Sequence, residues 1–387
     1  MKRSLTLVAA GLAGWLTLSA TAQPTDPAAE SLAALRDGNC NLCHVVPGLE
    51  PATKDESCTG CHVWIRDTSR DPAKRETAMK FFPLWERYER NVATYMEVPS
   101  LPAAMARLEP AWVEQWLADP HDVRPGLPEG MPRFGLDAGQ RRAIAQAFEA
   151  RTAQVEKTPK PSRKNLERGR AKLMTSGCTA CHGFGGAIPA SPGVAIAPDL
   201  AHTRSRMSPD MTVAWIMDPR SISPSSTMMS FGVQREDAIA IRDFLFLEDP
   251  AWVEPPAVTA DPQPTKEPVT WAMVEERVFG KICAHCHMDP SLPANQGRRG
   301  PGNAGGFGYP ETGIHLQSPE GVREVADRIG PALLRRRHEA PRDTVQRGQR
   351  PATLTRPEKP GMPLGLPPLP DEDISLVLGW IEQGMPE

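Results

Sequence analysis

Residues 166–183 read LERGRAKLMTSGCTACHG (Leu166 to Gly183), and the six residues GCTACH within them, Gly177 to His182, decide how the rest of the chain is read. The same Cys-x-x-Cys-His pattern stands at CNLCH (Cys40 to His44), CTGCH (Cys58 to His62) and CAHCH (Cys283 to His287). All 8 cysteines fall into these pairs, and each pair is followed at once by a histidine.

Three chemistries use paired cysteines. Disulfides are the first thought for an exported chain, but a staple between distant segments needs no histidine beside it. Zinc takes paired C-x-x-C motifs into Cys₄ sites, again without a histidine fixed after every second cysteine. Covalent haem gives each residue a task. Two thiols two residues apart reach the two vinyl groups on one edge of a porphyrin, and the adjacent histidine gives its imidazole nitrogen to iron. The motifs therefore predict four haems c, attached through Cys40, Cys43, Cys58, Cys61, Cys178, Cys181, Cys283 and Cys286. The proximal iron ligands are expected at His44, His62, His182 and His287, with His285 a spacer inside CAHCH.

The chain around the motifs has 387 residues, 40% of them hydrophobic, which suits two to four units. Its 42 prolines and 6% aromatic content speak against a large parallel sheet. Lys2 and Arg3, an apolar run from Leu5 to Ala20 and the small-residue site Ala20-Thr21-Ala22 read as a cleaved export signal over residues 1–22. No later run is long enough to span a bilayer, the stretch Ile374 to Ile381 being far too short. A periplasmic, soluble mature protein without a membrane span after signal cleavage is expected. Cleavage removes two cations from a chain whose formal net charge is already −3, so nucleic acid is not an expected partner. The local basic stretch RRRH, Arg335 to His338, reads as a solvated helix end or a counter-charge for an anion.

Two Pro- and Lys-rich stretches, residues 152–164 and 253–268, read as linkers. They leave a first part with two motifs (23–151) and two further parts with one each (165–252 and 269–387). The parts repeat one another. WLADPHDVRPGLPEGMPRFGLDAGQRRAIAQAF (Trp116 to Phe148) and WIMDPRSISPSSTMMSFGVQREDAIAIRDFL (Trp215 to Leu245) share Trp, Asp-Pro, Pro, Met, Phe-Gly and a closing helix in one order. GMPLGLPPLPDEDISLVLGWIEQG (Gly361 to Gly384) keeps the end of that order. In its helix Ile374, Val377, Leu378 and Ile381 share a face, and Gly384 is placed to stop it. The run GRRGPGNAGGFG, Gly297 to Gly308, lacks the Gly-Lys-Ser/Thr ending of a phosphate cradle and reads as a loop near the fourth motif.

Each part resembles a class I c-type cytochrome domain: a helix leading into CxxCH, a Pro-rich loop carrying Met, and a C-terminal helix crossing the first. LERGRAKLMTSGCTACHG followed by APDL (Ala197 to Leu200) carries the resemblance most closely, while residues 63–110 carry it weakly. The resemblance implies an all-α fold of three class I cytochrome c-like domains in tandem, joined by the Pro-rich linkers. It also implies that the Met of each loop is the sixth iron ligand: Met131 in MPRF, Met228 in MMSF with Met229 beside it as the alternative, and Met362 in MPLG. In the first part ESLAALRDGN (Glu30 to Asn39) looks like the leading helix of Cys40, which favours His44 opposite Met131; the chain distance from His62 favours His62 instead. We take His44 with Met131 as the expectation. The remaining haem then has His121, Met79, Met96 or Met105 to choose from, or an open side. Pro198 is implied as the backbone acceptor that fixes the ring of His182, and Arg204, Arg206 and Arg220 as partners of haem propionates. His202, His315 and His338 read as surface or supporting residues.

Such a chain is expected to relay electrons from a donor dehydrogenase or cytochrome to an acceptor cytochrome or oxidase. Two alternatives stay open. One is a haem enzyme, peroxidase-like or another small-ligand reductase, working at an open haem in the first part. The other is the cytochrome subunit of a dehydrogenase complex.

Overall fold

Polar caps and early prolines set where helices begin. Ser57 accepts from the Gly60 N–H to open α2 (Cys58–Ser69), and Asp71 caps α3 (Pro72–Phe81), whose Pro72 occupies the first turn. Asp137 and Gln140 form a capping box at α6 (Ala138–Glu149), and Ser208 precedes Pro209 at α8 (Pro209–Met217). The computed structural model describes residues 27–53, 57–82, 85–86, 89, 98–118, 120, 123–124, 131–185, 197–224, 226–249, 260–289, 291–292, 309, 311–345, 359–364 and 368–387. The expected signal segment, His121, Met96 and the Gly297–Gly308 run lie outside the described residues.

The chain is helical, with no β-strand among the described residues. Three helix packs recur. In the first, α1 (Pro27–Asp37) crosses α6, and α5 (Pro110–Ala118), preceded by the short α4 (Leu101–Met105), packs on α6. In the second, α7 (Leu166–Thr175) crosses α9 (Arg235–Leu247), and α8 packs on α9. In the third, α10 (Trp271–Val274) runs on through a π-helical stretch, Glu275–Cys283, to a last turn, Ala284–Cys286. Both α10 and the π-helical stretch rest on α12 (Asp371–Glu382), against which α11 (Ala326–Val345) also packs. Each pack has its own apolar core, built on Leu35, Phe134 and Phe148, on Leu173, Ile241 and Phe244, and on Val278, Val377 and Trp380.

The helix crossings are close. A Cβ on Gly169 of α7 would stand 2.0 Å from the Ala240 carbonyl oxygen of α9, so only glycine fits there. At the matching place in α1 the buried Ser31 donates its hydroxyl to the Ala143 carbonyl at 2.6 Å. The face read on α12 is buried at Ile374 and Val377, and Leu378 and Ile381 pack beside it. The helix ends as expected at Gly384, whose φ of 81° lies in the left-handed region.

Residues 152–162 and 260–268, the described extended parts of the stretches read as linkers, are strapped down. Thr158 donates its N–H and hydroxyl to Asp210 at 2.8 and 2.6 Å, and the fully buried Arg242 donates to the Pro159 carbonyl at 2.8 Å. Residues 260–268 lie along α12, where Gln383 donates to the Glu267 carbonyl at 2.8 Å and a Cβ on Gly379 would touch Thr265. The prolines that make these segments extended leave carbonyls free to accept such bonds. Of the two readings of RRRH, the solvated helix end does not hold: the stretch lies inside α11, with Arg336 buried and Arg337 paired with Asp371 at 2.7 Å.

Candidate cofactor sites

The first and third motifs each form a 3₁₀ turn, and the fourth ends a π-helical stretch. The N–H of His44 donates to the Cys40 carbonyl, that of His182 to Cys178 and that of His287 to Cys283, each at 2.9 Å. The first and third turns open on a left-handed residue, Asn39 (φ 54°) and Gly177 (φ 82°), which swings the chain out of the leading helix. One helical turn of this kind puts both thiols and the imidazole on a single side.

Two of these rings, those of His44 and His182, are held by backbone. His44 Nδ1 lies 2.7 Å from the Pro99 carbonyl oxygen, and His182 Nδ1 lies 2.6 Å from that of Pro198. A carbonyl there accepts a hydrogen bond from Nδ1–H, which keeps the proton on Nδ1 and leaves the Nε2 lone pair free for a metal. Burial pushes both imidazoles down from their usual value, and the carbonyls push back less strongly, so both favour the neutral form. His287 is likewise pushed down by burial, with the Ile314 backbone facing it. Its Nδ1 is shielded from solvent and makes no hydrogen bond of good geometry.

The acceptors belong to a repeated turn. Leu101 donates its N–H to the Val45 carbonyl at 3.1 Å, Leu200 to Gly183 at 2.8 Å and Leu316 to His287 at 2.8 Å. VPSL (Val98 to Leu101) thus stands where APDL stands in the second pack, and GIHL (Gly313 to Leu316) in the third. Pro99 and Ile314 were not singled out from the sequence. VPSL and APDL share X-Pro-x-Leu, a signal hidden because Pro99 lies 55 residues after His44 whereas Pro198 lies 16 after His182; GIHL keeps only the leucine. The intervening insertion carries the second motif.

That second motif has a different setting. His62 lies within α2, and Cys61 and Trp64 pack on a small cluster of Ile65, Ala78 and Trp85. Trp64 meets Phe82 and Trp85 edge-on at 5.4 Å. Glu89 ties the cluster, accepting from the Trp85 indole at 2.9 Å and Ser69 at 3.1 Å, and it pairs with Arg75. His285 of the fourth motif lies within electrostatic reach of His62, so these two motifs are neighbours.

The seven described cysteines carry no disulfide. Burial pushes the Cys40 and Cys283 thiols up to about 12, and that of Cys178 up as well, so they stay protonated at neutral pH. Among the described residues no three Cys, His, Asp or Glu side chains converge as a metal cage. Separate thiol pairs, each with one imidazole and apolar surroundings, fit a covalently held haem. Two shielded guanidinium atoms without partners, Nε of Arg206 and Nε of Arg335, fit its carboxylates.

Comparison of the chain with protein-family models, with curated proteins and with solved structures found no match.

The methionines divide by burial. Met131 is half-buried against the core that contains Cys40, Met228 and Met362 are half-buried, and Met229 is 58% exposed. Met105 is wholly buried in the core with Cys40, away from the cluster around Trp64, and Met79 faces solvent on α3. Of the three arginines expected near propionates, Arg204 pairs with Asp249 at 2.9 Å and Arg220 is exposed, leaving Arg206 turned inward. His202 is buried, His315 lies 3.2 Å from the Met288 carbonyl oxygen and His338 lies 2.7 Å from Asp261.

Proposed function

We propose that this protein is an exported tetrahaem c-type cytochrome, built of three class I cytochrome c-like domains, that relays electrons between a donor dehydrogenase or cytochrome and an acceptor cytochrome or oxidase in the periplasm. The observation that carries this reading is the repeated turn. At Cys40–His44 and Cys178–His182 the same backbone bond, ring acceptor and following Leu N–H recur. Two sequences with different interiors have kept one device for presenting two thiols and a neutral imidazole. When bound, haem iron supplies reversible one-electron exchange. The chain's part is to hold the imidazole rigid, exclude water and provide a second ligand. Met131, Met228 and Met362, each half-buried after its Pro-rich loop, are assigned that second role; a thioether opposite imidazole raises the potential relative to a second histidine. No helix among the described residues is long and apolar enough to cross a membrane, which is compatible with a periplasmic relay.

A second reading, an enzyme acting at His62, draws on one observation. Of the described methionines offered to that site, Met79 faces solvent and Met105 is buried in the other core. Optical and EPR spectroscopy of the haem-loaded protein, with and without carbon monoxide, separates the two. A relay gives low-spin haem throughout and no carbon monoxide uptake. One high-spin haem that takes up carbon monoxide favours the enzyme, and peroxide and nitrite assays follow. Met228→Ala is expected to remove one methionine–iron signature, and Met229→Ala to leave all signatures in place.

A further inference from the structure

The first and third packs meet at a buried ion pair. Arg133 follows Met131 by two residues in MPRF, and Phe134 beside it belongs to the core that contains Cys40. Glu339 lies on α11 of the third pack. Arg133 Nη1 stands 3.2 Å from Glu339 Oε2, with the two side chains only 9% and 7% exposed.

The other oxygen of this carboxylate is taken by the third pack's own loop. Gly361, the residue before Met362, donates its N–H to Glu339 Oε1 at 3.1 Å. That loop lies flat on α11. Met362 donates its N–H to the Ala332 carbonyl at 2.9 Å, and a Cβ on Gly361 would stand 2.2 Å from the Arg336 backbone nitrogen. One carboxylate therefore joins the loop of MPRF to the loop of MPLG. A carboxylate so far from water is stable only when its charge and its lone pairs are both met. The guanidinium meets the charge and the peptide N–H a lone pair, and each comes from a different loop. Neither loop can leave without stripping Glu339 of a partner. Both contacts involve an ionised group, which makes them stronger than neutral hydrogen bonds. Contacts of this kind, one step behind a metal ligand, set how firmly the ligand is held.

We propose that Glu339 is a positioning residue for two sixth ligands at once, holding the Met131 loop through Arg133 and the Met362 loop through the Gly361 N–H. The proposal rests on the reading of Met131 and Met362 as iron ligands. It makes the grip on those two haems a shared property, while the haem with Met228 is held independently.

The test uses the full haem-loaded chain, with haem content established first by mass spectrometry. Met131→Ala, Met228→Ala and Met362→Ala assign the methionine–iron signatures. Added imidazole then competes with each thioether for iron, and the concentration that removes half of a signature reads how firmly that loop is held. Glu339→Ala is expected to lower this concentration about tenfold at the Met131 and Met362 sites and to leave the Met228 site unchanged. Glu339→Gln keeps an acceptor for Gly361, so it is expected to restore the Met362 site while the Met131 site stays loosened. A Glu339→Ala effect at one site only, at all three or at none overturns the shared role. A Met362 site still loosened in Glu339→Gln overturns the part assigned to Gly361. Where Glu339→Ala does not fold, Arg133→Met combined with Glu339→Leu removes both tethers without leaving a buried charge. The same pattern over the three sites is expected of it, and any other pattern overturns the proposal. A chain without covalent haem, or signatures unchanged in Met131→Ala or Met362→Ala, overturns the ligand reading itself. Those controls precede the Glu339 variants and keep the two failures apart.

Discussion

CTGCH at residues 58–62 and CTACH at 178–182 differ by one letter and fold differently. The first forms the opening turns of a 12-residue α-helix capped by Ser57. The second is a tight turn after Gly177, whose φ of 82° breaks it from the helix before, and its ring is tied to Pro198. The motif specifies the chemistry, and its flanks specify the backbone. Serine before the first cysteine supplies an acceptor that starts a helix, whereas glycine supplies the left-handed step that ends one.

The largest test of that comparison removes the chemistry from both motifs. Replacing Cys58 and Cys61, or Cys178 and Cys181, by alanine is expected to cost one haem in each case, read as the mass of one haem lost from the intact protein. Equal losses mean that the two backbones serve the same attachment; a variant that keeps all four haems overturns the haem reading of that pair. The next test reaches what lies behind only one of the two. Gly169→Ala forces a Cβ into the Ala240 carbonyl of the crossing helix. It is expected to destabilise the protein by about 2–3 kcal/mol in denaturant unfolding. Ser31→Ala, at the matching place in the first pack, loses one hydrogen bond to Ala143 and is expected to cost about 1 kcal/mol.

Smaller effects fall on the flanks. Ser57→Ala is expected to cost about 1 kcal/mol by removing the cap of α2. Gly177→Ala is expected to cost about 1 kcal/mol through its left-handed backbone, with Phe231 close by. Thermal unfolding of the two variants reads both, and a neutral Gly177→Ala would mean that the turn at the third motif does not depend on that step. Asn39→Gly, at the same step before Cys40, is expected to change stability by no more than about 0.5 kcal/mol, since asparagine already tolerates this conformation.

Much of the helical layout was legible from local pattern. The apolar face of α12 and its stop at Gly384 followed from spacing, and the resemblance around APDL named Pro198, which stands 2.6 Å from His182. Pro99 escaped notice because an insertion separates it from His44, so its kinship with Pro198 shows only when both rings are in place. The strapped linkers escaped notice for a related reason. Proline content predicts an extended chain, but Arg242 and Asp210, which hold residues 158–159, lie far along the chain.

Arg107 and Arg206 mark the boundary between the two kinds of information. Sequence alone determined where the thiol pairs and their histidines lie along the chain and where α12 stops, because those depend on bonds spanning a few residues, such as the His182 N–H to the Cys178 carbonyl. Only the tertiary structure decided which carbonyl holds the His44 ring, that the second and fourth motifs are neighbours, and that Arg107 lies over Trp215 while Arg206 lies over Trp112. Those outcomes depend on desolvation and on charge brought close by segments far apart in the chain, and neither quantity exists until the packs meet.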